Sequence, residues 1–199
     1  DEALSLFATT RSPTQALAAT LCPEDMMLQS MEDASPVKWH LAHTTWFFEE
    51  FIIKPRVADY RSPDDRFAVL FNSYYVQAGP RHARDKRGLV SRPDGAAVGA
   101  YRDHVENSLN DLMNASRDDA DEIAQLVELG CHHEMQHQEL LITDLLHGLS
   151  FNPLLPTYKD PEPLAVTDEM PLNFSRYRGG LVEIGHEAVS YTHLTLPTK

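Results

Sequence analysis

The chain has 199 residues and a net charge of −13, from 17 basic and 30 acidic side chains, with 42% apolar residues. That is enough for one full domain with a real core and part of another. The acidic balance argues against nucleic acid and anionic membrane surfaces, both of which need a basic patch, and no apolar run approaches the roughly 18 residues that span a bilayer.

Residues 1–9 read as a helical remnant, and Ser12-Pro13 as the start of a helix to about Leu21, with Ser as N-cap and Pro in the first turn. Cys22-Pro23 breaks it. Ser35-Pro36 repeats the start signal and opens a helix that Pro55 stops after about Lys54. On its projection Lys38, Thr45 and Glu49 share a polar face. His40 and His43 fall beside an apolar, aromatic stripe and point into a buried arc. Residues 55–95 are rich in Pro, Gly, Asp and Arg and predict an extended loop with a short helix near 67–75; loops of this length are usually functional. A third helix is predicted from about Ala96 to Ala115. A fourth runs from about Asp118 to His147, with acidic residues in its first turn and Gly148 as C′ residue. Its apolar arc holds Ile123, Leu126, Leu129, Gly130, Leu140 and Leu141, and His133 and His137 lie at its middle. After Phe151 a proline-punctuated linker leads to residues that read as the opening of a β-rich unit.

Two thiols, Cys22 and Cys131, with no CxxC, make neither a disulfide framework nor a zinc knuckle, so a reducing, cytoplasmic setting is expected. No signal peptide is visible, and the opening on Asp1 suggests that leading residues are missing.

The histidines carry the chemistry. A single histidine on an apolar face is most often satisfied by a hydrogen bond. Two imidazoles four residues apart stack on one helix face and can hold one metal ion. A third ligand from Trp39-His40-Leu41-Ala42-His43 would complete the site; spacing alone does not choose between His40 and His43. The second ring nitrogens can go to an acceptor such as Asp144 or Glu134. His132 reads as solvated, and His82, His104, His147, His186 and His193 show no pairing pattern. His133-Glu134-Met135-Gln136-His137 also satisfies HExxH, in which Glu is the general base of a zinc peptidase. Position 143 is Thr, however, so the third histidine of one such class is absent, and carboxylates of the linker (Asp160, Glu162) are poorly placed.

Several runs together resemble the ergothioneine-biosynthesis sulfoxide synthases (EgtB family). They are Gln29-Ser30-Met31, the stretch from Ser35 to Glu49 (SPVKWHLAHTTWFFE), Leu70-Phe71-Asn72-Ser73-Tyr74-Tyr75, Arg87-Gly88-Leu89-Val90-Ser91-Arg92-Pro93 and the stretch from His133 to Leu141 (HEMQHQELL). The likeness covers roughly residues 1–187. It implies an all-α, DinB-like four-helix bundle over 1–151 and a linker over 152–173. The start of a domain like the formylglycine-generating enzymes would follow over 174–187, and residues 188–199 look non-native. It further implies one non-haem Fe(II) held by His43, His133 and His137, the later histidine of the upstream pair being the family ligand. The implied reaction uses O₂ to join the thiol of cysteine or γ-glutamylcysteine to C2 of hercynine, leaving a sulfoxide. Gln136 matches a glutamine that contacts hercynine, and Arg84 and Arg87 resemble arginines that hold the thiol substrate's carboxylates. The family's catalytic tyrosine and much of its pocket belong to the second domain, so no catalytic residue is assigned here and impaired turnover is expected of this fragment. Two other functions compete: a DinB-type thiol S-transferase using Zn²⁺ or another divalent ion, and a metal-free interaction module.

Overall fold

Helix α1 spans Glu2–Ala18, α2 Val37–Phe48, the short α3 Phe67–Leu70, α4 Gly95–Asn114 and α5 Ala120–Ser150. The computed structural model describes residues 2–73, 79–160 and 171–182, and among these there is no strand. The chain divides into two units, Asp1–Tyr158 and Lys159–Lys199. The first therefore extends past the boundary read at residue 151, and Tyr158 anchors its end by donating its hydroxyl to the Leu17 carbonyl at 2.7 Å. In the second unit, residues 171–182 are exposed and carry no strand, so the β-rich opening expected from 174 is not seen there. Residues 183–199 lie outside the described residues, as do linker residues 161–170. No helix among the described residues is long and apolar enough to cross a membrane.

Helix α1 is one continuous helix through Pro13, not two pieces. Proline inside a helix removes a backbone hydrogen bond and costs about 3 kcal/mol. Tertiary packing outweighs this: Phe7, Thr10, Arg11, Thr14 and Ala18 recur at helical spacing, are all buried, and lie along the face that α1 sets against α5.

Helix α2 lies between α4 and α5 and is buried at every one of its residues. The polar face expected from Lys38, Thr45 and Glu49 therefore does not meet water. Lys38 Nζ donates to the carbonyls of Val90 (2.9 Å) and Ser91 (3.0 Å). Glu49 accepts from the hydroxyls of Tyr60 and Tyr101. Pro36, not Ser35, is the N-cap residue. Beyond Phe48 the helix widens into a π-turn, Glu49–Ile53, and stops before Pro55 as expected.

A buried ionic cluster joins the four long helices. Arg11 of α1 donates from Nε to Glu106 of α4 (2.8 Å), from Nη1 to Glu134 of α5 (2.8 Å) and from Nη2 to Thr45 of α2 (3.1 Å). Arg102 of α4 donates to the second Glu134 oxygen (3.1 Å) and to the Leu41 carbonyl (2.9 Å). Two guanidiniums meet two carboxylates, so the buried charge is paired. Burial works against the Glu134 charge, but Arg11 and Arg102 hold its carboxyl below the usual glutamate range.

Asp94 caps α4 by accepting the Ala97 N–H at 2.9 Å. Helix α5 runs past Gly148, which is buried inside the helix and is not its C′ residue. Leu28 lies directly on Gly148, and Phe48 on Gly130; a Cβ at either glycine would overlap those side chains. Of the arc read on α5, Ile123, Gly130 and Leu141 are buried, Leu126 and Leu129 half-buried, and Leu140 is exposed.

Candidate metal centre

His43 of α2 and His133 and His137 of α5 meet in the core. One ring nitrogen from each lies within 4.8 Å of the other two, and no carboxylate or thiol belongs to the group. Ring centroids are 4.9 Å apart for His43–His133, 4.7 Å for His43–His137 and 4.6 Å for His133–His137. Helical geometry explains the α5 pair, since residues i and i+4 lie one above the other. The close approach of α2 at Gly130 brings His43 against them. His43 and His133 are 1% and 2% exposed, and His137 reaches 9%.

Aromatic rings enclose the group. His43 stacks between Trp39 (4.5 Å, 13°) and Trp46 (5.5 Å, 17°), and Phe47 lies 4.8 Å from His133. Burial, with the neighbouring imidazoles, holds His43 and His137 well below the ordinary imidazole value. Burial pushes His133 down to about 4, against the opposing pull of Glu134. All three are thus neutral near pH 7, the form that binds metal. His43 Nδ1 is 2.6 Å from the Phe71 carbonyl, which only accepts, so the proton sits on Nδ1 and Nε2 keeps its lone pair. Three neutral imidazoles suit first-row divalent metals better than magnesium or calcium.

His40, the competing upstream histidine, does not join the group. Its Nδ1 is 2.9 Å from His137 Nδ1 and its Nε2 is 3.1 Å from Asp144 Oδ2. Asp144, read as an acceptor for a ring nitrogen, therefore reaches His137 only through His40. Glu134, the other acceptor considered, has both oxygens on Arg11 and Arg102. That commitment removes it as the general base that the HExxH reading needs.

The expected substrate contacts lie on differing ground. Gln136 is half-buried on α5, next to His137 in sequence. Arg84 and Arg87 belong to a 3₁₀ turn, Arg84–Leu89. Arg84 is part-exposed and pairs with Asp33, its carboxylate 3.6 Å away. Arg87 is buried; its guanidinium carbon lies 3.4 Å from the centroid of Trp39, and it donates to Ser35 Oγ at 2.8 Å. Tyr74 and Tyr75 are outside the described residues.

Sequence reading missed Arg11 and Arg102, and gave no role to Gln29, which it quoted only within a run that carries the resemblance. Gln29 fastens the arginine turn: its amide donates to the carbonyls of Ala34 (2.9 Å) and Arg84 (2.8 Å) and accepts the Gly88 N–H. A polar residue in a short loop gives no periodic signal that would reveal this.

A comparison with curated proteins finds no match. The family model of the DinB superfamily matches residues 6–141, from α1 into α5, a stretch that includes all three imidazoles. Domains of this kind are often related to metalloenzymes, and the superfamily binds divalent metals. With more than half its length matched, this helical chain belongs to the DinB superfamily.

Proposed function

We propose that the chain binds Fe(II) through His43, His133 and His137 and forms the N-terminal, metal-binding bundle of an O₂-dependent sulfoxide synthase. Its substrates are hercynine and a cysteine-type thiol, cysteine or γ-glutamylcysteine. The observation that carries the reading is the buried group of three imidazoles without a carboxylate. Such a set leaves open coordination positions for small molecules. The Glu134-Met135-Gln136 spacing favours the ergothioneine branch over the related ovothiol-pathway synthases.

Iron held there supplies the O₂ chemistry and favours the thiolate form of the sulfur substrate. The protein's own groups do the rest. The Phe71 carbonyl fixes the His43 proton on Nδ1. Trp39, Trp46 and Phe47 keep water from the imidazoles. Arg84, which now holds Asp33, exchanges that carboxylate for one on the thiol substrate. Arg87 adds positive charge behind Trp39, and Gln136 contacts hercynine. These contacts match guanidinium to carboxylate and give an acidic protein a local attraction for anionic substrates.

Anaerobic loading tests the reading. One Fe(II) per chain is expected, and His43→Ala, His133→Ala and His137→Ala should each abolish binding; full binding by any of these variants contradicts the ligand set. Iron-loaded protein given hercynine, thiol and O₂ should form sulfoxide, and no product without O₂ is expected. Thiol transfer by zinc-loaded protein without O₂ would instead establish a DinB-type S-transferase.

A further inference from the structure

We propose that His40 and Asp144 are positioning residues that set the tautomer and orientation of His137 at the metal centre. The inference rests on the reading of His43, His133 and His137 as ligands, and adds two residues that do not touch the metal.

The argument is proton bookkeeping along a chain of three groups. The Asp144 carboxylate only accepts hydrogen bonds. Its Oδ2 takes the Ser35 backbone N–H at 2.7 Å, which anchors it to the start of α2. The same oxygen is 3.1 Å from His40 Nε2, so that nitrogen carries a proton. A neutral imidazole holds one proton, and in His40 the Asp144 contact places it on Nε2. Its Nδ1 is therefore bare and accepts. The partner at 2.9 Å, His137 Nδ1, must then be the donor. A neutral His137 with its proton on Nδ1 has its lone pair on Nε2, the nitrogen left for a metal. Without Asp144, His40 is free to carry its proton on Nδ1. His137 would then take the opposite tautomer, with a proton on Nε2 in place of the metal.

The placement is specific. Asp144 lies two turns beyond His137 on α5, and His40 of α2 contacts both. His43 gets the same service from a backbone carbonyl. His137 gets it from side chains, so mutation can test it. Partners of this kind typically change metal affinity 10–100-fold.

The test uses Co(II) as probe, with affinity from chelator competition, the ligand-field spectrum of the bound ion, and melting of the metal-free protein. His40→Phe keeps ring size and removes both hydrogen bonds; it should weaken Co(II) binding roughly 10–100-fold and alter the spectrum. His40→Asn, whose amide oxygen falls near the place of Nδ1, should recover most of that loss. Asp144→Leu should weaken binding in the same direction, and the double variant His40→Phe/Asp144→Leu should lose no more than His40→Phe alone. Wild-type affinity and spectrum in His40→Phe would overturn the proposal. So would equal losses in His40→Phe and His40→Asn that follow their metal-free melting temperatures, since that is the mark of a structural role. If His40→Phe does not fold, Asp144→Leu and His40→Asn decide, and unchanged binding in Asp144→Leu overturns it. A wild-type protein that binds no Co(II) removes the metal centre itself, which is a different failure.

Discussion

Glu134 stands between two imidazoles of the metal group in sequence, yet its carboxylate serves the fold. It neutralises Arg11 and Arg102 where neither can reach water. Glu134→Gln keeps the shape and removes the charge, leaving two buried guanidiniums with one fewer carboxylate. Breaking a buried ion pair from one side typically costs about 3–5 kcal/mol, so urea unfolding should report a loss of that order. The folded fraction should still bind metal, because the three imidazoles remain. A variant as stable as the parent would show that the charge of this cluster is dispensable. The His133–His137 pair was legible from sequence because its geometry is local. The role of Glu134 was not, because its partner Arg11 is 123 residues away.

At the scale of elements, two glycines of α5 set how closely its neighbours approach. Phe48 of α2 occupies the place of a side chain at Gly130, one turn before His133. Gly130→Ala forces Phe48, fully buried, out of its position or pushes α2 and α5 apart. Overpacking of this kind costs about 1–3 kcal/mol, and a chain of this size then melts about 2–4 °C lower per kcal/mol. The same displacement moves His43 away from the α5 pair, so metal affinity should fall together with stability. An unchanged melting curve and affinity would show that the helix contact is looser than the geometry indicates. Gly148 illustrates a limit of pattern reading. A glycine near the end of an apolar repeat reads as a C′ residue, but the contact with Leu28 that explains it comes from a distant loop. Pro13 is the converse case, a local stop signal overridden by the face that α1 buries on α5.

For the whole molecule, four buried imidazoles link stability to pH. His40, His43, His133 and His137 are all held below the ordinary value of 6.5, chiefly by burial. In the unfolded chain they take up protons as the pH falls through that value, while the folded protein resists. Unfolding is therefore favoured as pH falls. The stability is fully present above pH 6.5 and is lost from there down towards about 4, where His133 titrates in the fold. Metal-free protein should melt at lower temperature at about pH 5 than at about pH 7.5, before most carboxylates titrate. A flat profile across that window would show that the imidazoles are not buried and neutral. A divalent metal that binds only the folded chain should raise the melting temperature. At a free concentration of about 100 times Kd the gain is about 2.7 kcal/mol, and His133→Ala should abolish it.

Sequence by itself determined the helical character of the chain, the start of α4, the stop before Pro55 and the stacking of His133 on His137. Each follows from rules that act within a few residues: helical periodicity, a proline that ends a helix, and the i to i+4 spacing. It also marked both upstream histidines as buried. Spacing did not choose between them, and only the tertiary structure shows that His43, not His40, is grouped with the α5 pair, because that depends on how α2 is rotated against α5. It alone showed that α2 has no solvent face, that Glu134 belongs to an ionic core, and that Asp144 reaches His137 through His40. Those facts depend on contacts between residues far apart in the chain, and no local pattern records which distant partner will fill a buried donor or acceptor.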